Sequence, residues 1–306
     1  MKRITSGDIR SFLQAAPPVP APAKGDAGNL PRISVVTPSF NQAGFLERTI
    51  LSVLNQGYPN LEYIVVDGGS GDGSVDILRK YEHHLSAWVS EEDRGQSDAI
   101  NKGFRIATGD LVAWQNSDDI YLPGAFWKVV KAYRESPQYD VYFGNMCTID
   151  EEDEILHEHR YTPFSVECLL YDGWNITNQS AFFRKEIVRR YPLQAGLRYA
   201  MDGDYFVRIG LGGARFRFIR DSLGAFRIHG KAKSGTIDRT VGVEEWVKIR
   251  ESRGILMRTD IPWGRQYLGR KALCKARKLF HYLRQGDFDY IGGKIVRMVR
   301  GVSGSS

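Results

Sequence analysis

Polar residues cluster at four points in the first 120 residues, each directly after a short apolar run, and three of the four clusters contain carboxylates. The clusters are residues 37–41 (TPSFN), 67–72 (DGGSGD), 91–95 (EEDRG) and 116–119 (NSDD). Asp118 and Asp119 offer the oxygen ligands that a hard divalent cation prefers, whereas a carboxylate such as Asp67 can accept an N–H from a base such as uracil. The pattern therefore predicts a site for a nucleotide diphosphate bound through Mg²⁺ or Mn²⁺.

A sheet is needed to bring these clusters together, and the sequence predicts one. Strands are expected over residues 33–38, 61–67, 86–90 and 109–115, with helices over 44–56, 73–84 and 96–107 between them. This alternation favours an α/β fold with a Rossmann-like, mostly parallel sheet flanked by helices. Ligands of such sheets bind outside the carboxyl ends of the strands, so the four clusters are expected to line one crevice.

The second half of the chain shows a looser pattern. Two strands are expected over residues 141–150 and 155–162, around an acidic turn, and helices over 204–213 and 244–254. Because the first half already supplies loops suited to a nucleotide, this half is expected to hold the acceptor.

The motifs, in this order and spacing, resemble the family 2 glycosyltransferases, which have the GT-A fold. The segments that carry the resemblance are ISVVTPSFNQAGFLERTILSVLNQGYPNLEYIVVDGGSGDGS and DRGQSDAINKGFRIATGDLVAWQNSDD. The resemblance implies an inverting enzyme that transfers a sugar from a nucleotide diphosphate sugar, with a UDP-sugar favoured. The acceptor would be a hydroxyl of a glycan or a lipid-linked molecule, in polysaccharide or glycolipid assembly.

The same resemblance implies a nucleotide pocket and a metal motif. The pocket residues are Pro38, Ser39, Asn41, Asp67, Asp72, Asp93, Arg94 and Asp98. A motif of the D-x-D type falls at residues 116–118, with Asn116 in place of the first Asp. Asp118 is then the favoured metal ligand and Asp119 the next, while Asn116 is expected to contact the donor ribose.

Two later segments resemble parts of the family's catalytic machinery. In residues 201–205 (MDGDY), Asp202 matches the general base that takes the acceptor proton. The alternative is that Asp202 and Asp204 cap a helix over 205–211. In residues 226–234 (FRIHGKAKS), His229 is expected to bind the metal or the diphosphate, with a purely structural role as the alternative.

Residues 175–185 (NITNQSAFFRK) resemble the family's acceptor-side loop. Asn178 and Gln179 are expected to contact acceptor hydroxyls, and Asp204 is placed with this acceptor side. Trp174 either stacks on a sugar ring or packs at the rim of the core.

Composition and charge divide the chain of 306 residues into three parts. We expect a flexible linker over 1–30, a glycosyltransferase domain over 31–235 (nucleotide half 31–125, acceptor half 126–235) and a helical basic extension over 236–306. No secretory apolar segment or run of about 18 apolar residues is present, which predicts a cytoplasmic location, with the inner face of the membrane as one such location. The three cysteines form no C-x-x-C pair, so neither disulfides nor a zinc knuckle are expected.

The positive charge lies in the tail. Residues 258–306 hold eleven Lys and Arg against three Asp, a net charge of +8, so the rest carries −2 of the total of +6. A general affinity for nucleic acid is therefore not expected. Apolar residues recur at helical spacing over 268–283, which favours either contact of residues 268–300 with an anionic membrane or packing on the domain.

Other classes of protein lack their signatures here. A dinucleotide dehydrogenase needs G-x-G-x-x-G after the first strand, and a nucleotide-sugar pyrophosphorylase needs a Gly-rich loop with an Arg there; residues 37–45 contain neither. A catalytically silent carbohydrate-binding or scaffold module of a membrane assembly is the remaining alternative. Asp67, Asp118 and Asp202 together argue for an enzyme instead.

Overall fold

A computed structural model describes residues 4–18, 30–232, 239–255 and 265–302. The strands of this part are β1 (Ile33–Ser39), β2 (Leu61–Asp67), β3 (Ala87–Ser90), β4 (Leu111–Trp114), β5 (Ile120–Tyr121), β6 (Val141–Ile149), β7 (Ile155–His159), β8 (Ala181–Arg184) and β9 (Phe216–Arg227). The helices are α1 (Ser6–Gln14), α2 (Ala43–Leu54), α3 (Ser74–Tyr81), α4 (Gln96–Ile106), α5 (Ala125–Glu135), α6 (Val166–Asp172), α7 (Lys185–Arg190), α8 (Met201–Leu211), α9 (Arg239–Glu251), α10 (Arg265–Gln285) and α11 (Phe288–Val302). Short 3₁₀ turns occur at Glu82–His84 and Asn178–Ser180.

The strands form one mixed sheet in the order β3-β2-β1-β4-β8-β6-β9-β5, with β7 paired to β6. The first four strands pair in parallel, and β6 pairs in parallel with β9. The register aligns Ser39 with Asp67, and Asp67 with Ser90, so three strands end side by side. The predicted mostly parallel sheet and its four strand-end loops are therefore confirmed.

The central strands of the sheet, such as β1, β4 and β6, are buried on both faces. Neighbouring residues of one strand enter opposite cores: Val35 packs on one face and Val36 on the other, and Phe182 and Phe183 divide in the same way. Side chains alternate along a strand, so a strand covered on both faces is a continuous apolar run. Trp114 stacks on Phe183 with ring centroids 5.4 Å apart. This packing fixes the end of β4, from which the NSDD loop leaves.

Helix α1 differs from the flexible linker expected over residues 1–30, so that expectation is wrong for Ser6–Gln14. Thr5 and Asp8 form a capping box: Thr5 Oγ1 accepts the Asp8 N–H, and Asp8 accepts the Thr5 N–H. Ile9 and Leu13 lie four residues apart and are buried against β5 and β6. The cap and this short apolar pair outweigh the Pro/Ala-rich composition; residues 19–29 lie outside the described part.

Helices continue beyond residue 236 and pack on the same core. Ile249 of α9 is buried in the core cluster, and Trp246 packs against it. Helix α10 lies against α6, while the division at residue 235 stays a prediction. In the part of the chain that is described, no helix combines the length and the apolar character needed to span a bilayer.

Candidate active site

Hydrogen bonds join the loops that follow β1 and β2. The Asn41 N–H donates to Ser70 Oγ over 2.8 Å, and the Gly71 N–H donates to Asn41 Oδ1 over 3.0 Å. Asp72 accepts the N–H of Ala43, the first residue of α2, over 2.9 Å. Burial disfavours the charged form of Asp72, yet hydrogen bonds from Ser74 and Ala43 lower its pKa below the ordinary value. The predicted residues Asn41 and Asp72 thus shape this edge of the crevice.

Asp67 is fully buried at the end of β2, and its carboxylate is already occupied. Oδ1 accepts the Ser70 hydroxyl over 2.6 Å. Oδ2 accepts Ser90 Oγ and the Ser70 and Gly69 N–H groups over 2.7, 2.9 and 3.2 Å. Each carboxylate oxygen has about two lone-pair sites, so these bonds fill Oδ2 and leave Oδ1 able to accept a second bond. Contact of Asp67 with a base stays a prediction.

The loop after β3 combines a fixed carboxylate with an exposed cation. Asp93 Oδ1 accepts the Gly95 N–H over 2.7 Å. Asp98, in the first turn of α4, is buried, and hydrogen bonds from Arg94 overcome this burial and lower its pKa. The Arg94 side chain is 84% exposed although it pairs with Asp98 at 3.3 Å. Arg94 therefore presents a positive charge at the carboxyl end of β3, where a diphosphate is expected.

Pro38 and Ser39 are buried at the end of β1. Among the described residues Ser39 Oγ has no hydrogen-bond partner. Buried hydroxyls are rarely left unpaired, so this oxygen is open to a bond from a ligand in the crevice.

Asp119 is fully buried and is surrounded by N–H donors. Oδ1 accepts the Arg227 N–H over 2.9 Å, while Oδ2 accepts Gln179 Nε2 over 2.8 Å and Asn116 Nδ2 over 3.0 Å. Burial and the neighbouring Asp118 raise the pKa of Asp119, and the three donors oppose this rise. The expectations that Asp119 binds a metal and that Gln179 contacts the acceptor are not supported by this geometry. Both side chains are engaged in holding the NSDD loop.

The Asp118 side chain points away from the donors that surround Asp119 and lies next to His229. His229 Nε2 lies 3.1 Å from Asp118 Oδ2, and the imidazole packs on Phe45 with centroids 4.3 Å apart. His229 Nδ1 is buried and has no partner in the described part of the chain. Magnesium-type sites use one or two carboxylates and complete their coordination with substrate phosphates and water. Asp118 and His229 fit such a site, although no group of three or more potential ligands gathers among the described residues.

Arg227 is the main residue that the sequence analysis missed. It is fully buried, and burial lowers its pKa while Asp153 partly offsets this effect. Nε donates to the Asp118 carbonyl over 2.9 Å, Nη1 donates to the Asp150 carbonyl over 2.7 Å, and Nη2 lies 2.6 Å from Asp153 Oδ1. One guanidinium thus connects the NSDD loop to the β6–β7 turn. The only sequence signal was its place two residues before His229.

We expect Arg227→Lys to lower the free energy of unfolding by about 2–4 kcal/mol, because an ammonium cannot meet three divergent acceptors in a buried site. Chemical denaturation measures this loss. Arg48→Lys is the matched control: Arg48 pairs with the same Asp153 at 3.2 Å, but its side chain is 30% exposed. The control should lose no more than about 1 kcal/mol. Equal losses in the two variants would contradict a special role for Arg227.

Helix α4 connects the NSDD loop to the segment that carries Asp202. Gln96 Nε2 donates to Asn116 Oδ1 over 2.7 Å, and Ser97 Oγ lies 3.1 Å from Met201 Sδ. Asp202 follows Met201 in the first turn of α8. The predicted donor side and the predicted base are therefore brought to the same end of α4.

Helix α8 begins at Met201 with Ala200 as its N-cap, so the alternative of Asp202 and Asp204 as caps is wrong. The chain before the helix is held instead by Glu245 of α9. Its carboxylate accepts the N–H groups of Arg198, Tyr199 and Ala200 over 2.7, 2.8 and 2.8 Å. A carboxylate at a helix N-terminus also suits the helix dipole. The position of Asp202 thus depends on a residue far along the sequence.

Two tryptophans flank the Asp202 turn. A Cβ added at Gly203 would lie 2.4 Å from Trp246 and 3.1 Å from Trp174, so only glycine lets these rings approach. Trp174 packs edge-on against Trp246 at 5.4 Å between ring centroids and remains 39% exposed. Trp174 therefore packs at the rim and keeps an exposed part beside the Asp202 turn, while its stacking on a sugar ring stays a prediction.

The other two acceptor-side predictions fall on buried residues. Asp204 lies 2.6 Å from Arg208 Nε in a buried ion pair, so the structure does not support its contact with an acceptor. The i, i+4 spacing of the two residues on α8 accounts for the pair. Asn178 is buried, and its Nδ2 has no hydrogen-bond partner among the described residues. A contact of Asn178 with the acceptor stays a prediction.

Solved structures with this architecture are GT-A glycosyltransferases. Staphylococcus aureus TarS, in complex with UDP-GlcNAc, matches with a TM-score of 0.59 at 18% identity over 78% of this chain and 72% of that chain. The mannosyltransferase PcManGT from Pyrobaculum calidifontis, in complex with GDP-Man and Mn²⁺, matches with a TM-score of 0.57 at 20% identity over 88% of this chain and 76% of that chain. These similarities confirm the predicted fold class.

The sequence comparisons are more specific. The family model "Glycosyl transferase family 2" matches residues 34–196. An uncharacterized glycosyltransferase from Mycobacterium tuberculosis is 33% identical over 187 residues, which are 59% of this chain and 70% of the relative. The protein belongs to glycosyl transferase family 2, as its motifs predicted, and it is a glycosyltransferase.

Proposed function

We propose that this glycosyltransferase uses a nucleotide diphosphate sugar, with a UDP-sugar favoured, and inverts the anomeric centre. The acceptor is a hydroxyl of a glycan or a lipid-linked molecule. The observation that carries the proposal is the Asp118–His229 pair at the end of β4, joined through α4 to the Asp202 turn. In this proposal the first supplies ligands for the diphosphate, and the second supplies the base for the acceptor.

The proposed reaction is a single displacement. The acceptor oxygen attacks the anomeric carbon, and the bond from that carbon to the diphosphate oxygen breaks. The leaving nucleotide keeps the electron pair, and the Asp202 carboxylate takes the acceptor proton. Arg94 supports the negative charge of the diphosphate from the loop after β3. A divalent cation held by Asp118 and His229 would add charge neutralisation at the same leaving group.

A nucleotide screen tests the donor half of the proposal. UDP with Mn²⁺ or Mg²⁺ is expected to raise the Tm, because a ligand that binds only the folded state at about 100 times its Kd adds about 2.7 kcal/mol of stability. GDP, CDP and ADP serve as matched controls under the same conditions, and differential scanning fluorimetry gives the readout. A larger shift with GDP would replace the UDP assignment. The same shift for UDP in excess chelator would contradict cation-assisted binding.

A further inference from the structure

Helix α10 packs on the catalytic domain through its polar and aromatic side. Cys274 and Tyr282 are buried, and the Tyr282 hydroxyl donates to the Arg160 carbonyl over 2.8 Å. Lys278 lies 2.8 Å from the Asp172 carboxylate of α6. Arg270 and Arg277 pair with Glu167 of the same helix at 2.9 and 2.7 Å. The docked side of α10 is thus held largely by ion pairs.

The opposite side of α10 is apolar and exposed. We call it the apolar stripe: Leu268, Leu273, Leu279, Phe280 and Leu283, which are 45% to 67% exposed. At about 100° per residue these side chains, with Ala272 and Ala276, fill a continuous arc of about 140°. Packing of the apolar residues on the domain was one alternative from the sequence, and the structure shows it to be wrong. The stripe faces away from the part of the protein that the structure describes.

Basic side chains border the apolar stripe on both sides. Lys275 lies at one edge and Arg284 at the other, and both are exposed. Neither forms an ion pair with any described residue. Arg270 and Arg277 lie beside Arg284 and remain more than half exposed despite their pairing with Glu167. An apolar surface between two positive edges is complementary to lipid chains below anionic headgroups.

We propose that the apolar stripe binds the surface of a membrane that contains anionic lipids. A second copy of the chain fits this surface less well, because a two-fold contact would set the same basic edges against each other. Anionic headgroups neutralise those edges, while the apolar side chains enter the boundary between headgroups and acyl chains.

The position of α10 gives this contact a consequence for the acceptor, and this step rests on the proposed function. The Tyr267 hydroxyl near the start of α10 donates to the Tyr171 carbonyl over 3.3 Å, and the two rings lie 5.2 Å apart. Tyr171 is three residues from Trp174, which borders the Asp202 turn. Helix α10 therefore begins near the acceptor side of the site, and a membrane under its apolar stripe would suit an acceptor with a lipid tail.

Flotation with vesicles tests the proposal on the full chain without donor or turnover, so its outcome is independent of the proposed reaction. Vesicles of phosphatidylcholine with phosphatidylglycerol are expected to bind the wild type at low salt, and pure phosphatidylcholine vesicles much less. The triple variant Leu279→Ser, Phe280→Ser, Leu283→Ser should bind at least about tenfold more weakly. The double variant Lys275→Gln, Arg284→Gln should lose about fivefold per residue, with weaker salt dependence.

The matched control is Ile106→Ser with Leu211→Ser, two exposed apolar residues on other helices, and it should bind like the wild type. A thermal scan of each variant checks folding, since all substituted side chains are exposed. Equal binding of the triple variant and the control would overturn the proposal. The proposal would also be overturned if the wild type does not bind anionic vesicles and light scattering shows instead that it forms a dimer, which the triple variant does not form.

Discussion

Asp202→Asn is expected to lower kcat by about 10²-fold or more while UDP binding stays unchanged. The substitution keeps the size of the side chain and a carbonyl oxygen that can accept the Gly203 N–H, which Asp202 Oδ1 accepts over 2.8 Å. It removes only the oxygen that, in the proposed mechanism, takes the acceptor proton. Steady-state kinetics with saturating donor, together with a separate Kd for UDP, separates loss of chemistry from loss of binding.

Asp204→Asn is the matched control, two residues further along the same helix. Asp204 is buried in the ion pair with Arg208, so its loss should lower the Tm while kcat at permissive temperature stays near that of the wild type. The reverse outcome, normal turnover in Asp202→Asn and a large loss in Asp204→Asn, would transfer the role of base to Asp204.

Asp118→Ala is expected to lower kcat/KM by about 10³-fold or more, because cation-assisted stabilisation of a leaving diphosphate amounts to several kcal/mol. The fold should remain, since Asp118 is partly exposed and its carboxylate contacts only His229 in the hydrogen bonds and ion pairs of the described part. Chelator should inactivate the wild type, and Mn²⁺ or Mg²⁺ should restore it. Full activity of the wild type in excess chelator would refute the cation site.

Asp119→Ala should separate the two adjacent carboxylates. Its loss leaves Gln179, Asn116 and the Arg227 N–H without their buried acceptor, so the free energy of unfolding should fall by about 1–3 kcal/mol or more. The Tm of Asp118→Ala should stay close to that of the wild type. If both variants lose activity at unchanged Tm, Asp119 would belong to the cation site after all.

Much of the nucleotide half was predictable because local signals agree there. The strands β1 to β4 are short apolar runs followed by polar loops, and a parallel sheet necessarily brings their carboxyl ends to one edge. The register that aligns Ser39, Asp67 and Ser90 is the direct result. Hydrophobic pattern and connection rules therefore sufficed to locate the crevice.

Side-chain direction was not predictable in the same way. The resemblance ranks Asp118 above Asp119 as a metal ligand, but it does not reveal that one faces His229 and the other faces three buried N–H donors. Strand β9 was missed because charged residues such as Arg217 and Asp221 interrupt its apolar pattern, and with it the role of Arg227. These roles depend on contacts between segments about 60 to 110 residues apart, as the spacing of Gln179 and Arg227 from Asp119 shows.

The hydrophobic pattern of α10 predicts a helix but not the side that packs on the domain. The apolar residues do recur at helical spacing, yet this spacing is the same whether they face the domain or solvent. Ion pairs to Glu167 and Asp172 determine the docked side, and these partners lie about 100 residues earlier in the chain.

The contact made by Glu245 affects how much of the chain a truncated protein must keep. The family match ends at residue 196, before Asp202, and the sequence suggested a boundary at residue 235. A chain shortened to either point would lack the carboxylate that holds the three backbone N–H groups before α8. With Asp202 as the proposed base, we expect a chain that keeps catalysis to extend through α9, so grafting or domain exchange within the family should carry α8 and α9 together.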